Sequence, residues 1–174
     1  MTARSPRLRV PITALALILL AALAVGAHPE DAAADARTTI HRVTVPAGHF
    51  VPAGPDMAYQ NDGFVLSLNA GQGFFTAPVP YHYDGTDHVF FTRVELLGVD
   101  GTPNGTCLTM YRAQPGDFLD VAMGDACAPT AGPGSAVFVP SPRRVNAGQR
   151  AYLWLRIGRT GSFYGARVTY TTNP

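Results

Sequence analysis

Lysine is absent from this 174-residue sequence, and all thirteen of its basic residues are arginine. With twelve acidic residues the formal net charge is only +1, and the arginines form no long basic block. The electrostatic footprint of a nucleic-acid-binding protein is therefore missing, and no nucleic-acid partner is predicted. The complete preference for arginine over lysine is typical of a GC-rich genome and indicates a bacterial source.

Long apolar runs are also scarce, and the only one lies near the N-terminus, in ITALALILLAALAVGA, residues 12–27. Three arginines and no acid precede it, and its last residues are small, as signal peptidase requires. We predict a signal peptide, residues 1–27, cleaved after Ala27, and a secreted protein. An uncleaved membrane anchor is the alternative, because the run is only slightly shorter than the ~18–20 residues that span a bilayer. Cleavage removes three arginines, changes the net charge from +1 to −2 and leaves no membrane-spanning segment.

Helical periodicity is missing from the rest of the chain. Residues 28–38 have no apolar pattern and are predicted to be a flexible leader, and residues 39–174 are predicted to form one domain. In that domain short runs of valine, phenylalanine, tyrosine and threonine alternate with turn residues, which predicts strands. The nine predicted strands cover residues 39–45, 63–69, 72–79, 88–99, 106–113, 117–124, 135–141, 151–158 and 162–171. Without helices to connect parallel strands, the pattern favours a single antiparallel β-sandwich or barrel.

Aromatic residues supply the candidate binding site. In AYLWLRIG, residues 151–158, alternation places the aliphatic side chains on one face and Tyr152, Trp154 and Arg156 on the other. The aliphatic face is predicted to point inward. Because flat rings stack on the apolar faces of sugars, the candidate glycan-binding residues are Tyr81, Tyr83, Tyr152, Trp154 and Tyr164. For each of them alone, packing within the core is the competing interpretation.

The sequence has two cysteines, Cys107 and Cys127. If the strands on either side of Gln114–Asp117 form a hairpin, Cys107 lies opposite Gly124, three residues from Cys127. An exported protein meets an oxidising compartment, so we predict a Cys107–Cys127 disulfide. Closing this loop contributes about 3 kcal/mol in the chain-entropy model. No neighbouring base supports a catalytic cysteine.

The segment PYHYDGTDHVFF, residues 80–91, collects polar groups that raise the question of a metal site. No zinc spacing and no EF-hand pattern is present. Asp-Gly is turn chemistry, and Gly85 is expected to take a positive φ. We predict a hairpin loop, with a ligand-contact loop using its two tyrosines as the alternative. The weak metal candidates are His82, Asp84, Asp87 and His88.

Common enzyme motifs are missing. No serine lies in a Gly-x-Ser-x-Gly elbow, and no phosphate-binding glycine loop or dinucleotide fingerprint follows a predicted strand. Glu95 and Asp120 are the acids near the centres of predicted strands, and a glycosidase-like pair would require them to meet. We therefore predict no catalytic residue, no cofactor and no metal.

The strand pattern resembles a known family. The stretches VTVPAGHFVPA, FFTAPV, LTMYR and FYGARVTY, spread over residues 40–171, resemble a largely uncharacterised family of secreted bacterial proteins. The resemblance implies a jelly-roll-like β-sandwich in an extracellular setting. After APV the family typically has a Leu-Pro-x-Gly-Ala turn, whereas this chain has PYHYDGTDH. The resemblance brings no catalytic residues.

Three functional hypotheses follow. The leading one is a secreted, non-catalytic β-sandwich module that binds a polysaccharide or a cell-wall component. The alternative is a structural surface protein that associates with further copies of itself as a homo-oligomer. The third is a small secreted hydrolase that uses Glu95 and Asp120.

Overall fold

The computed structural model describes residues 38–55, 59–63, 66–68, 71–100, 105–116, 119–128, 132–158 and 161–172. Within these ranges it contains twelve β-strands, one 3₁₀ turn and no α-helix. None of the described residues belongs to a helix able to span a membrane. The predicted signal peptide, residues 1–27, and the leader, residues 28–38 apart from its last residue, lie outside the described residues.

Each of the nine predicted segments overlaps a strand. Three further strands of two or three residues, Val51–Pro52, Tyr59–Asn61 and Arg144–Asn146, were not predicted. The strands are β1 (Thr39–Pro46), β2 (Val51–Pro52), β3 (Tyr59–Asn61), β4 (Leu66–Leu68), β5 (Gly73–Pro78), β6 (His88–Asp100), β7 (Cys107–Ala113), β8 (Val121–Cys127), β9 (Gly132–Phe138), β10 (Arg144–Asn146), β11 (Arg150–Ile157) and β12 (Ser162–Thr172).

These strands form two antiparallel sheets. In sheet A, β6 and β12 lie side by side; β9 and β10 pair with the far edge of β6, and β1 and β4 pair with the far edge of β12. Strand β3 completes sheet A beyond β4. Sheet B has the order β2-β5-β11-β7-β8. The fold is therefore the predicted antiparallel β-sandwich.

The core lies between the inner faces of the two sheets. In β11 every second residue is buried, including Leu153 and Leu155, as the alternation of the sequence predicts. Sheet A contributes Phe91, Val94 and Phe163 to the same cluster. Burying a leucine or phenylalanine side chain stabilises the folded state by about 1.5–3 kcal/mol. This core fixes the outward direction of the residues between the buried ones.

The disulfide is confirmed, but the predicted hairpin register was wrong. Cys107 pairs directly with Cys127 in the β7–β8 ladder, and the two cysteines are bonded. The connection between the strands spans residues 114–120 and not the four residues of the expected turn. A bulge between Met110 and Tyr111 shifts the register by one more residue. The longer connection and the bulge together move Cys127 to the position expected for Gly124.

The segment after β5 was also wrongly predicted to be a hairpin loop. Strand β5 belongs to sheet B and β6 to sheet A, so residues 79–87 cross from one sheet to the other. The expected tight turn does occur inside this crossover. Asp84 and Gly85 both have positive φ, and the Thr86 amide donates to the Tyr83 carbonyl at 2.9 Å. This is the pattern of a type I′ turn, which favours Asp-Gly.

Candidate functional site

Four aromatic side chains share the outer face of sheet B. They are Phe74 on β5, Tyr111 on β7, and Tyr152 and Trp154 on β11, and we call them the aromatic strip. Tyr152 and Trp154 point outward because the leucines that alternate with them are buried in the core. Phe74 is 39% exposed. The other three are partly exposed, so the strip is an aromatic surface in contact with solvent.

Strand register arranges the strip as a diagonal row. Phe74 lies opposite Arg156, two residues along β11 from Trp154, and Tyr111 lies opposite Tyr152, two residues from Trp154 in the other direction. Diagonal neighbours on adjacent strands are about 7–8 Å apart, so the row from Phe74 through Trp154 to Tyr111 is about 15 Å long. It is long enough to meet several units of a polymer.

Ring geometry divides the strip into two pairs. The rings of Phe74 and Trp154 have centroids 5.9 Å apart and are tilted by 45°. The rings of Tyr111 and Tyr152 are stacked, with centroids 5.3 Å apart and an interplanar angle of 14°. These contacts hold the rings against one another and make the strip a preformed surface.

Three shallow depressions adjoin Trp154. Their volumes are about 350, 290 and 240 Å³, and Trp154 contributes to the walls of each. Polar groups border them: Gln72, Thr109, Asp125, Arg150 and Arg156. An apolar platform with a few polar groups at its edge is the usual composition of a small-molecule site, since the polar groups orient the ligand.

Two hydrogen bonds position the edges of this surface. The Tyr152 hydroxyl donates to Asp120 Oδ2 at 2.5 Å. Burial, followed by this bond to Asp120, raises the pKa of Tyr152 well above its ordinary value. Arg156 Nη2 lies 2.8 Å from the sulfur of Cys107, so the disulfide borders the same face. At neutral pH Tyr152 is therefore an uncharged ring held in place at its hydroxyl.

Tyr81 and Tyr83 do not belong to the aromatic strip. Both are partly buried against the core, and their rings meet edge to face with centroids 5.5 Å apart. The Tyr81 hydroxyl donates to the Gln149 carbonyl at 2.9 Å, and the Tyr83 hydroxyl to the Asn146 carbonyl at 2.8 Å. These bonds tie the crossover to the turn before β11, so both side chains serve the fold.

Tyr164 lies on the opposite sheet from the strip. It is 46% exposed on β12, at a register shift where β12 has one more residue than β6. An extra residue of this kind is a β-bulge. The five aromatic candidates therefore lie in three places, and only Tyr152 and Trp154 share a surface.

The four weak metal candidates also separate. Asp84 Oδ2 lies 2.8 Å from His41 Nε2, and Asp87 contacts His88, so the two aspartates have different partners. Among the described residues no group of three or more histidine, cysteine, aspartate or glutamate side chains is arranged to hold a metal ion. His41 comes from β1, and its meeting with Asp84 could not be read from the sequence.

The two acids considered for catalysis are held by different partners on different sheets. Glu95 is on β6 of sheet A, where Arg167 Nη1 lies 3.2 Å from its carboxylate. Asp120 directly precedes β8 of sheet B and accepts the bond from Tyr152. The prediction that Asp120 falls within a strand was wrong, because β8 begins one residue later. The pair is not assembled.

Sequence reasoning missed Phe74, Tyr111 and Asp125 as members of this face. Phe74 is followed by the buried Phe75, and two adjacent phenylalanines do not reveal which one faces the core. Tyr111 alternates with the buried Leu108 and Met110 of β7, so alternation along this strand was a signal that could have placed it on the outer face. The predicted outward direction of Tyr152 and Trp154 on β11 was the other signal that could have led to their neighbours on the adjacent strands.

Comparisons with known proteins support the fold. No protein-family model and no curated protein matches the sequence. The C-terminal CBM6 of LamC, a marine laminarinase from Zobellia galactanivorans, is similar with a TM-score of 0.50 and 11% identity over 74% of this chain and 99% of that chain. The carbohydrate binding module CBM6cm-2 of Cellvibrio mixtus lichenase 5A has a TM-score of 0.43 and 12% identity over 72% and 95%. The xylan binding module CBM86 of Roseburia intestinalis has a TM-score of 0.45 and 14% identity over 78% and 96%. The similarity to the first of these modules, at a TM-score of 0.50 and 11% identity, supports the jelly-roll-like β-sandwich fold and nothing finer.

Proposed function

We propose that this protein is a non-catalytic module that binds a polysaccharide chain along the aromatic strip. The observation that carries the proposal is the diagonal row of Phe74, which is exposed, and Trp154 and Tyr111, which are partly exposed, on the outer face of sheet B. Aromatic rings offer large, rigid apolar surfaces. An isolated sugar would cover one ring, whereas an extended chain can contact the whole row of about 15 Å.

The polar border of the strip suits the hydroxyl groups of a sugar chain. Asp125 accepts hydrogen bonds, Arg156 donates them, and Thr109 does both. They line one depression together with Phe74 and Trp154. A sugar chain in this position would stack on the aromatic rings and form hydrogen bonds with the polar side chains at their edge. Such hydrogen bonds orient a ligand and give an apolar surface its specificity.

The test is affinity electrophoresis of residues 28–174 in gels that contain a soluble β-1,3-glucan, β-1,4-glucan, xylan or mannan. We expect retardation by at least one neutral polysaccharide. Trp154→Ala removes the central ring and should weaken binding about tenfold or more. Phe74→Ala removes an end of the row and should weaken binding less.

Tyr164→Ala is the matched control, since Tyr164 is an exposed aromatic residue on the other sheet. Its binding should equal that of the unaltered protein. Failure of every neutral polysaccharide to bind, or equal loss in Trp154→Ala and Tyr164→Ala, would contradict the proposal.

Self-association is the competing use of an exposed aromatic face. Sedimentation velocity on the same proteins distinguishes self-association from polysaccharide binding. A dimer that becomes monomeric in Trp154→Ala, with no polysaccharide bound by either protein, would identify the strip as an interface between copies. A monomer at all concentrations that still binds polysaccharide supports the proposed function.

We also propose that the protein acts outside the cell after cleavage behind Ala27. The N-terminal arginines, the apolar run and its small final residues support this. The Cys107–Cys127 disulfide is consistent with it, because disulfides persist in oxidising compartments. N-terminal sequencing of protein recovered from the culture medium should begin at His28. Recovery of the uncleaved chain from membranes would instead indicate an anchor.

A further inference from the structure

The outer face of sheet A contains a groove that is separate from the aromatic strip. Its volume is about 580 Å³. Its walls come from β1, β6 and β12 and consist of three arginines, one glutamate, three threonines and one isoleucine. The arginines are Arg42, Arg93 and Arg167, one from each strand.

Strand register fixes the arrangement of the charges. Arg42 and Arg93 both lie opposite Thr169 of β12, one on each side, so they occupy the same row of the sheet. Neighbouring strands are about 4.7–4.9 Å apart, which separates the backbones of Arg42 and Arg93 by about 10 Å. Arg167 of β12 and Glu95 of β6 also lie opposite each other, two residues along their strands from Thr169 and Arg93.

The single carboxylate leaves the groove positive. Glu95 Oε2 lies 3.2 Å from Arg167 Nη1 and 4.0 Å from Arg93 Nη2. The Glu95 side chain is only 15% exposed, whereas those of Arg93 and Arg167 are 54% and 49% exposed. Within the described ranges Arg42 makes no ion pair with a carboxylate. Three arginines and one glutamate leave the groove with two positive charges that no carboxylate balances. All three arginines are exposed to solvent, whereas the Glu95 side chain is mostly buried.

We propose that this groove is a second binding site, which takes an acidic polysaccharide through its carboxylate or sulfate groups. Guanidinium groups match the planar geometry of carboxylate and the oxygens of sulfate. Arg93 and Arg167 both approach Glu95, whereas Arg42 comes from β1, on the other side of Thr169 from Arg93. A polymer with repeating anionic groups can contact them in succession.

The rest of the lining favours a sugar chain over other polyanions. The three threonines, Thr92, Thr169 and Thr171, bring hydroxyls that can bond with sugar hydroxyls, and Ile40 is 66% exposed beside them. Nucleic acid carries a dense row of phosphates that calls for many cations, and the Glu95 carboxylate would oppose it. The groove is thus suited to a sparsely charged, hydroxyl-rich polymer.

The test uses residues 28–174 with polygalacturonate and dextran sulfate as probes and with uncharged dextran as the reference polymer. Binding is measured by titration at low and moderate salt. We expect both acidic polymers to bind, more weakly as salt increases because exposed charge interactions are screened. Arg42→Gln and Arg93→Gln should each weaken binding roughly twofold to fivefold, as expected for one exposed ion pair. Both changes leave the Arg167–Glu95 pair in place.

Glu95→Gln gives a test of opposite sign. Glutamine can still accept a hydrogen bond from Arg167, and loss of the opposing charge should tighten binding of the acidic polymers roughly twofold to fivefold. Arg143→Gln is the matched control, since Arg143 is an exposed arginine in the loop before β10. Circular dichroism of each variant establishes that the sheets are intact.

Several results would overturn the inference. These are failure of both acidic polymers to bind, equal effects of Arg42→Gln and Arg143→Gln, or weaker binding by Glu95→Gln. Competition by free galacturonate as effective as that of the polymer at equal carboxylate concentration would also overturn it. So would preference for duplex DNA or for phosphatidylglycerol vesicles over both polymers. Trp154→Ala should bind the acidic polymers as the unaltered protein does. The test of the groove therefore does not depend on whether the aromatic strip binds neutral polysaccharide.

Discussion

The hydroxyl of Tyr152 donates a hydrogen bond of 2.5 Å to Asp120 Oδ2 at one end of the aromatic strip. The ring of Tyr152 is stacked on Tyr111, so a single side chain links the strip to an acid outside the sheet. Tyr81 is the other tyrosine with a strongly raised pKa, first through burial and then through its hydrogen bond with Tyr83. Both residues stay protonated in the folded protein beyond the pH at which a free tyrosine ionises.

Alkaline pH should therefore destabilise the fold. Above about pH 10 the unfolded chain loses tyrosine protons that the folded state retains, so stability is present below this pH and is lost as pH rises. Absorbance of tyrosinate should show two tyrosines titrating later than in the unfolded chain. Tyr81→Phe and Tyr152→Phe should each remove one late-titrating group and reduce the loss of stability. Titration of all tyrosines in one step at the ordinary pKa would contradict this prediction.

The disulfide should contribute substantially to stability. Cys107 and Cys127 are separated by 20 residues in sequence, and a loop of this size corresponds to about 3 kcal/mol in the chain-entropy model. Replacing both cysteines by alanine should lower the free energy of unfolding in denaturant by about that amount. The unaltered protein measured in reductant should show the same loss. An unchanged denaturation midpoint would show that the reduced unfolded chain is already constrained.

The centre of β11 should be sensitive to cavity formation. Leu153 is fully buried between the sheets, so Leu153→Ala should cost about 2–5 kcal/mol. Leu119→Ala makes the same chemical change at a position that is 83% exposed and should alter stability by less than about 0.5 kcal/mol. Equal effects of the two substitutions on thermal unfolding would be inconsistent with the inward direction of Leu153.

Gly165 should tolerate no side chain. Its φ is +149°, and a Cβ atom there would lie 2.8 Å from the carbonyl oxygen of Val45 on β1. Gly165→Ala should destabilise the protein by about 3 kcal/mol, from backbone strain together with displacement of β1. Gly148→Ala is the control, because Gly148 has a φ of +87° and open space around its Cβ position. It should cost about 1–2 kcal/mol, and a larger loss there than at Gly165 would argue against the close contact with β1.

Much of the fold could be predicted because the alternation of apolar and polar residues along the sequence matches the side chains that are buried in the structure. The alternation of AYLWLRIG follows from a strand with one buried face, and its leucines are indeed the buried set. The Asp84–Gly85 turn was predictable because few residues accept positive φ at two successive positions. The cysteine bond was predictable from spacing within a hairpin even though the register was wrong.

The remainder depends on contacts between distant segments. Whether the chain turns back or crosses after Val79 is decided by the pairing of β5 with β11 and of β6 with β12, which leaves no local signature. The short strand β10 exists because it pairs with the start of β6. The aromatic strip likewise assembles from three strands, so its diagonal row becomes visible only once the register is known.

The pairing of β12 has a consequence for how the protein is made. Among the described residues β12 is the last strand, and it pairs with β1, β4 and β6, so sheet A cannot be completed before residues 162–172 are available. Strand β1 pairs with residues more than a hundred positions later. Contacts this distant slow folding because the loop must close before they form. A chain in which residues 162–172 are not yet synthesised therefore lacks a finished sheet A.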